Sequence, residues 1–398
     1  MRPRPIWTGA FFCAQYATLV VMFQSLLYTL ALFLLVIVPS GAHGSFVYVT
    51  NYGNGTISQF RANPNGTLTA LNPSAVKAWP RCHSLAADPS GRFLYVLSSL
   101  EFSRRDCIVS QFRIGNDGGL TPLSPPTVPV SAMGSGPSLI VVNPTGPVVY
   151  TMGRGSETTT FRIESDGHLV PLTPIATANA GITGPDVQLT FHPSLPLLYR
   201  AYQGAAPGPG EMTAGGVDVL AFRADGQILD KPVQKLNMDG NTPLGLMLVR
   251  DGRHAYIPHN WNSVPKISQY QILPTGALLP LAPANVSLPA YVSQALADPQ
   301  SRFLYIIART ANTSTAYTRI IRYRIEHNGR LGKHLTQKLP LRAAVNSTFF
   351  NSDGKFFYLL TGNGVRPFRV TGNGSLSVLQ SQSARAGRDP LSMVYVSR

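Results

Sequence analysis

Residues 84–96 read SLAADPSGRFLYV: an apolar stretch, a turn built on Asp88, Pro89, Ser90 and Gly91, then an aromatic stretch ending in Tyr95 and Val96. The alternation of apolar and polar positions predicts two half-buried strands, and the Pro–Gly turn predicts that they run antiparallel. The phrase returns as SLIVVNPTGPVVYT (138–151), LTFHPSLPLLYR (189–200), LMLVRDGRHAYI (246–257), ALADPQSRFLYI (295–306) and TFFNSDGKFFYL (348–359). A second phrase follows each time, a strand with an aromatic near its end, a Gly turn and a short Leu strand. It reads ISQFRANPNGTLTAL (57–71), VSQFRIGNDGGLTPL (109–123), TTFRIESDGHLVPL (159–172) and VLAFRADGQIL (219–229). It continues as ISQYQILPTGALLPL (267–281), IIRYRIEHNGRLG (320–332) and RPFRVTGNGSLSVL (366–379). The DG, NG and SG pairs supply the positive φ of tight hairpins.

Tyrosines close the first phrase at positions 48, 95, 150, 199, 256, 305 and 358, with spacings of 47 to 57 residues. That period is one four-stranded propeller blade, so seven tyrosines predict an all-β, seven-bladed propeller. The ends complete the count. The repeat region starts with FVYVTNYG, a second strand with no first, and stops with DPLSMVYVSR, a first strand with no second. Three N-terminal strands and one C-terminal strand therefore make one blade. That blade closes the ring and removes an exposed sheet edge. Residues 45–398 are expected to be one domain.

Composition agrees. Charged residues are 13% of the 398, half the usual share of about 25%, while 36 Gly and 33 Pro punctuate the chain throughout. Helical bundles and general disorder are excluded by that pattern and by the 44% hydrophobic content. Residues 1–44 read as a targeting segment. Arg2 and Arg4 precede an uncharged apolar run from Ala17 to Val38, and small residues at 40 and 42 fit cleavage after Ala42. The first reading is a cleaved signal peptide. The second is an uncleaved membrane anchor, because 22 residues can span a bilayer. Either way the helical N-terminal segment exports the rest, periplasmic or secreted, and is its only membrane contact. Cys82 and Cys107 then lie in a compartment that permits disulfides. A bridge and two buried thiols are both open, and the thiols are preferred.

The stretch FVYVTNYGNGTISQF (46–60) closely resembles the YVTN-type propeller repeat. The whole of 45–398 resembles the lactonase family of seven-bladed propellers, the family of bacterial 6-phosphogluconolactonase. The resemblance implies hydrolysis of a sugar lactone or related ester. It implies Arg, His and acidic side chains where the innermost strands begin, in a Gly-Pro-Arg-His phrase. Such chemistry needs an activated water and a donor for the developing oxyanion. The prolines of the pattern are present at 80, 137, 185, 243 and 390, but Ser138, Asp186, Leu244 and Leu391 stand where Arg-His would follow. Arg81 and His83 alone supply the expected types, with Cys82 between them.

Arg81, His83 and His259 are therefore the candidate catalytic residues, with Arg81 on the anionic or carbonyl oxygen and a histidine as base. Asp186, Gln188, Gln294 and Asn346, at the starts of inner strands, and Glu211, in the long loop 204–216, are the candidate substrate-binding residues. The other acids, among them Asp88, Asp117, Asp166, Asp225, Asp251, Asp298 and Asp353, read as turn residues. No EF-hand spacing, zinc spacing or GxSxG phrase occurs, so no metal, cofactor or serine nucleophile is expected. The formal charge of +15 favours an anionic partner, a small lactone or an acidic carbohydrate. Dispersed arginines without a basic run argue against nucleic acid. A monomer is expected. The alternative function is a non-catalytic exported propeller that binds an anionic glycan, peptide or protein on the same face.

Overall fold

The computed structural model describes residues 44–398 except 100–106, 131–136, 154–157, 173–185, 203–214, 230, 239–241, 261–264, 310–317, 340, 342 and 380–382. The expected N-terminal helix lies outside the described residues, among which no helix occurs and none is long and apolar enough to cross a membrane. The described residues form seven antiparallel sheets, each meandering from an inner to an outer strand. Inner strands neighbour one another around the ring: Cys82–Ala87 packs beside Pro137–Val142 on one side and Pro390–Ser397 on the other. Pro390–Ser397 also pairs with Ser45–Asn51 along its whole length, so the chain's last strand is the inner strand of its first blade. Blades are numbered from that one. In blade 5 the inner strand is split into Thr242–Pro243 and Met247–Leu248, both paired with His254–Asn260.

The repeated tyrosines hold the blades together. Each is fully buried. The hydroxyls of Tyr48, Tyr95, Tyr150, Tyr199, Tyr256 and Tyr305 donate to the carbonyls of Gly118, Gly167, Gly226, Gly276, Gly329 and Gly374 in the next blade, at 2.7–3.0 Å. Burial pushes these phenols well above their ordinary range, so they remain donors at any physiological pH. Each acceptor glycine has positive φ. Its missing side chain leaves room for a residue of the preceding blade: Phe46 lies under Gly118, Phe93 under Gly167, Phe303 under Gly374, and Phe356 under Gly66 where blade 7 meets blade 1. The Gln of each SQF or SQY phrase adds a second tie. Gln59, Gln111 and Gln269 accept from the backbone N–H of Leu120, Leu169 and Leu331 at 2.6–2.8 Å.

These contacts make a specific expectation. Gly118→Ala places a methyl group inside the Phe46 ring at φ +88, and it should cost about 2–4 kcal/mol. Gly372→Ala meets nothing within 4 Å and should change stability by less than about 0.5 kcal/mol. Urea unfolding of the two variants measures the difference; equal midpoints would refute the role given to the interblade glycine.

Candidate functional site

Inner strands begin, second strands end and third strands begin on one face of the ring, here termed the mouth face. The opposite, turn face carries the hairpins. In blades 2, 3, 4, 6 and 7 the register of the inner strand slips at its second residue, and in blade 1 at Leu391. A bulge leaves one residue out of the ladder and re-aims its side chain. His83 and Asn346 are such residues. Arg81, just before the strand, is left-handed (φ 53), and so is Asp389 (φ 51) at the same position of blade 1. Each left-handed residue is held by the end of the adjacent second strand. Ser99 N–H donates to Arg81 O at 3.4 Å, and Tyr52 N–H to Asp389 O at 3.0 Å.

His83 is 7% exposed. Its Nε2 lies 3.2 Å from Ser99 Oγ, and its ring meets the edge of Tyr52, with centroids 5.1 Å apart. Burial, with the Arg81 guanidinium second, lowers its pKa to about 4. The structure thus gathers Tyr52, Arg81, His83 and Ser99 at the junction of blades 1 and 2. Tyr52 and Ser99 were missed from sequence, although each stands four residues after a repeat tyrosine and so shares one register position. Between Arg81 and His83, Cys82 points inward. Its thiol donates to Asn51 O at 3.3 Å, and burial pushes its pKa to about 12. Cys82 and Cys107 are buried thiols with no disulfide between them, as preferred from the sequence.

His259 is three blades from His83, at the end of the second strand of blade 5. It is 2% exposed, and its Nε2 lies 2.7 Å from Ser268 Oγ. The Ser268 hydroxyl donates to Asn285 Oδ1 at 2.6 Å, so it accepts from His259 Nε2–H. Nδ1 is then a buried lone pair with no hydrogen-bond partner among the described residues. Burial, with Lys266 second, lowers the pKa of His259 to about 3.

The predicted binding residues serve the ring in large part. Gln188 Oε1 accepts from Leu246 N at 3.0 Å in the next blade. Gln294 Nε2 donates to Asn346 O, and its Oε1 accepts from Thr348 Oγ1, both at 2.8 Å. Asn346 Nδ2 donates to Pro390 O at 2.7 Å. These bonds run from inner strand to inner strand as a belt. Asp186 opens the inner strand of blade 4, opposite Tyr202. Glu211 lies outside the described residues. No group of three or more His, Cys, Asp or Glu side chains able to hold a metal occurs among the described residues.

The architecture defines a seven-bladed propeller with a basic, histidine-bearing corner at the mouth of its inner strands. The family model described as lactonase, 7-bladed beta-propeller, matches residues 37–259, more than half of the chain, and the chain belongs to that family. No curated protein matches it. Among solved structures it is similar to a Bacteroides fragilis protein provisionally named a 6-phosphogluconolactonase. That similarity has 16% identity, covers 90% of this chain and 100% of that one, and has a TM-score of 0.69. A Bacteroides uniformis protein with the same provisional name has 18% identity, coverage of 89% and 100%, and a TM-score of 0.66. A Lactobacillus plantarum protein has 16% identity, coverage of 89% and 100%, and a TM-score of 0.67. At these identities the likeness shows the fold.

The two buried histidines set a pH dependence. Each is neutral in the fold and protonated in the unfolded chain between its folded and unfolded pKa. Their stabilisation is therefore full above about 6.5 and lost as pH falls toward about 4 for His83 and about 3 for His259. His192 and His254 shift in the same direction. Each histidine adds up to about 1.4 kcal/mol per pH unit to the slope. Urea unfolding between about pH 7 and about pH 5 should show a slope that His83→Gln reduces; a folded His83→Gln, His259→Gln variant with the parent's slope would disprove the assignment.

Proposed function

We propose that the protein hydrolyses a sugar lactone, or a related ester, at the junction of blades 1 and 2. The observation that carries this reading is the placement of Arg81 beside a neutral, buried His83 at the start of an inner strand, in a chain of the lactonase propeller family. Arg81, a permanent cation, would sit on the lactone carbonyl oxygen or on an anionic substituent. His83 would take a proton from water as the water oxygen adds to the carbonyl carbon. The ring C–O bond then breaks and the leaving oxygen takes the proton back, giving the hydroxy acid. An exported, monomeric protein, delivered or anchored by residues 17–38, belongs to the same proposal.

A second reading has its own support. Gln188, Gln294 and Asn346 make interblade bonds, and His259 turns its Nε2 into blade 5. A propeller so arranged can bind an anionic ligand on the mouth face without turning it over.

Initial rates of the purified protein on neutral and phosphorylated sugar lactones decide between the two. Under the first reading His83→Gln lowers kcat by about 100-fold with KM little changed. Arg81→Ala lowers kcat/KM, most for phosphorylated lactones. A base is active when neutral, so kcat/KM should hold constant from neutral pH down and fall only as pH drops through about 4. Turnover indifferent to both substitutions would overturn the site; no turnover on any lactone would leave the binding reading in its place.

A further inference from the structure

We infer that the mouth face carries an extended binding surface for an acidic polysaccharide, along an arc from blade 5 through blades 6, 7 and 1 to the edge of blade 2. The starting point is where turn chemistry puts the carboxylates. Asp117, Asp166, Asp225, Asp251 and Asp353 each accept a backbone N–H two residues on, within a hairpin. Asp88 and Asp298 hold the turns after their inner strands by accepting the backbone N–H of Phe93 and Phe303, five residues on. All these hairpins lie on the turn face. Among the exposed described side chains, Asp389 is the one carboxylate on the mouth face, and Arg388 Nε lies 3.6 Å from it.

Cations are spread along the arc. Lys266 starts the third strand of blade 5, Lys338 ends the outer strand of blade 6, and Lys77 ends that of blade 1. Arg385 and Arg388 lie on the connection into the inner strand of blade 1, and both are exposed. Each end of the arc carries an aromatic side chain in solvent. Tyr291, 60% exposed, leads into the inner strand of blade 6, and Trp79, 40% exposed, leads into that of blade 2. The remaining exposed large hydrophobics among the described residues are aliphatic. Ala78 N–H is bonded to Gly55 O, so the backbone that presents Trp79 is tied to blade 1.

A positive arc with an aromatic platform at each end fits one class of polymer. Pyranose rings offer apolar C–H faces to an electron-rich indole or phenol, and spaced carboxylates or sulfates answer spaced lysines and arginines. Nucleic acid would answer a denser run of charge, and it is the competing outcome. The surface does not include Arg81 or His83, and it stands whether or not the lactone corner turns over substrate.

The test is binding of the purified full-length protein to polygalacturonate, with neutral dextran and a single-stranded oligonucleotide as comparisons, at about 0.05 M and about 0.5 M NaCl. Polygalacturonate should bind at low salt and weaken at high salt, and dextran should not bind. Trp79→Ala and Tyr291→Ala should each weaken binding by about five-fold. Lys77→Ser with Arg388→Ser should weaken it further and flatten the salt dependence, while Lys355→Ser on the turn face should leave it unchanged. All five positions are exposed, so the variants should fold, and circular dichroism checks that they do. No binding at low salt, binding indifferent to both aromatics, or tighter binding of the oligonucleotide would each overturn the proposal. Lactone turnover on the same preparation separates its failure from that of the hydrolytic site.

Discussion

A tyrosine hydroxyl donating to a glycine carbonyl one blade away is the contact on which the ring depends. It recurs from Tyr48 to Tyr305 with nearly the same length, and each donor is fully buried. A buried phenol without a partner would cost more than the bond returns, so the acceptor must be in place. Only a hairpin with a residue at positive φ offers its carbonyl there, and only glycine leaves room for the side chain beneath. Tyrosine, glycine and the residue two before the tyrosine, Phe in four blades and Val148, Leu197 or His254 in the others, are thus one unit. That unit joins two blades, neither of which could bury its own faces alone.

This constraint also divides the two faces chemically. The glycine hairpins need a carboxylate or amide to cap their backbone, and Asp and Asn supply it. Among the described residues the exposed carboxylates therefore gather at the hairpins, and Asp389 is the one on the mouth face. The placement of those described carboxylates is a by-product of how the blades are tied. On the mouth face the backbone is equally regular, with a bulge at the start of six inner strands. Arg81 and Asp389 occupy the same left-handed position with opposite charges. Blade geometry therefore provides six similar sockets, and chemistry enters through the side chain that fills each.

The ring was legible because its determinants are local and repeated. The spacing of tyrosines counts the blades, and a first strand stranded at the C-terminus tells how they close. The mouth was legible only in part. Gln188, Gln294 and Asn346 read as binding residues because they are polar and stand at the starts of inner strands. Their partners, Leu246, Asn346 O and Pro390 O, lie 44 to 58 positions away in sequence, and no spacing rule connects them. Cys82 is similar, since the carbonyl it faces belongs to the blade before. Polar residues in a propeller serve either a ligand or the neighbouring blade, and sequence alone does not separate the two uses.

Comparison of blades within the molecule separates them further. Asn51 and His259 both stand three residues after a repeat tyrosine, and both reach a serine of the third strand: Asn51 Nδ2 donates to Ser58 Oγ, and His259 Nε2 to Ser268 Oγ. In blade 1 the second polar atom is satisfied too, since Asn51 Oδ1 accepts from Gly387 N–H at 2.9 Å. In blade 5 the corresponding atom, His259 Nδ1, has no partner among the described residues. The same socket thus holds a saturated amide in one blade and a half-satisfied imidazole in another. Stability alone favours the amide, because an unpaired buried nitrogen costs about 1–3 kcal/mol. Blade 1 carries the ring closure and keeps the saturated form. Blade 5, whose inner strand is already broken in two, tolerates the other. Where a repeat protein departs from its own average at a cost in stability, the departure does not follow from the repeat itself, and His259 is such a departure.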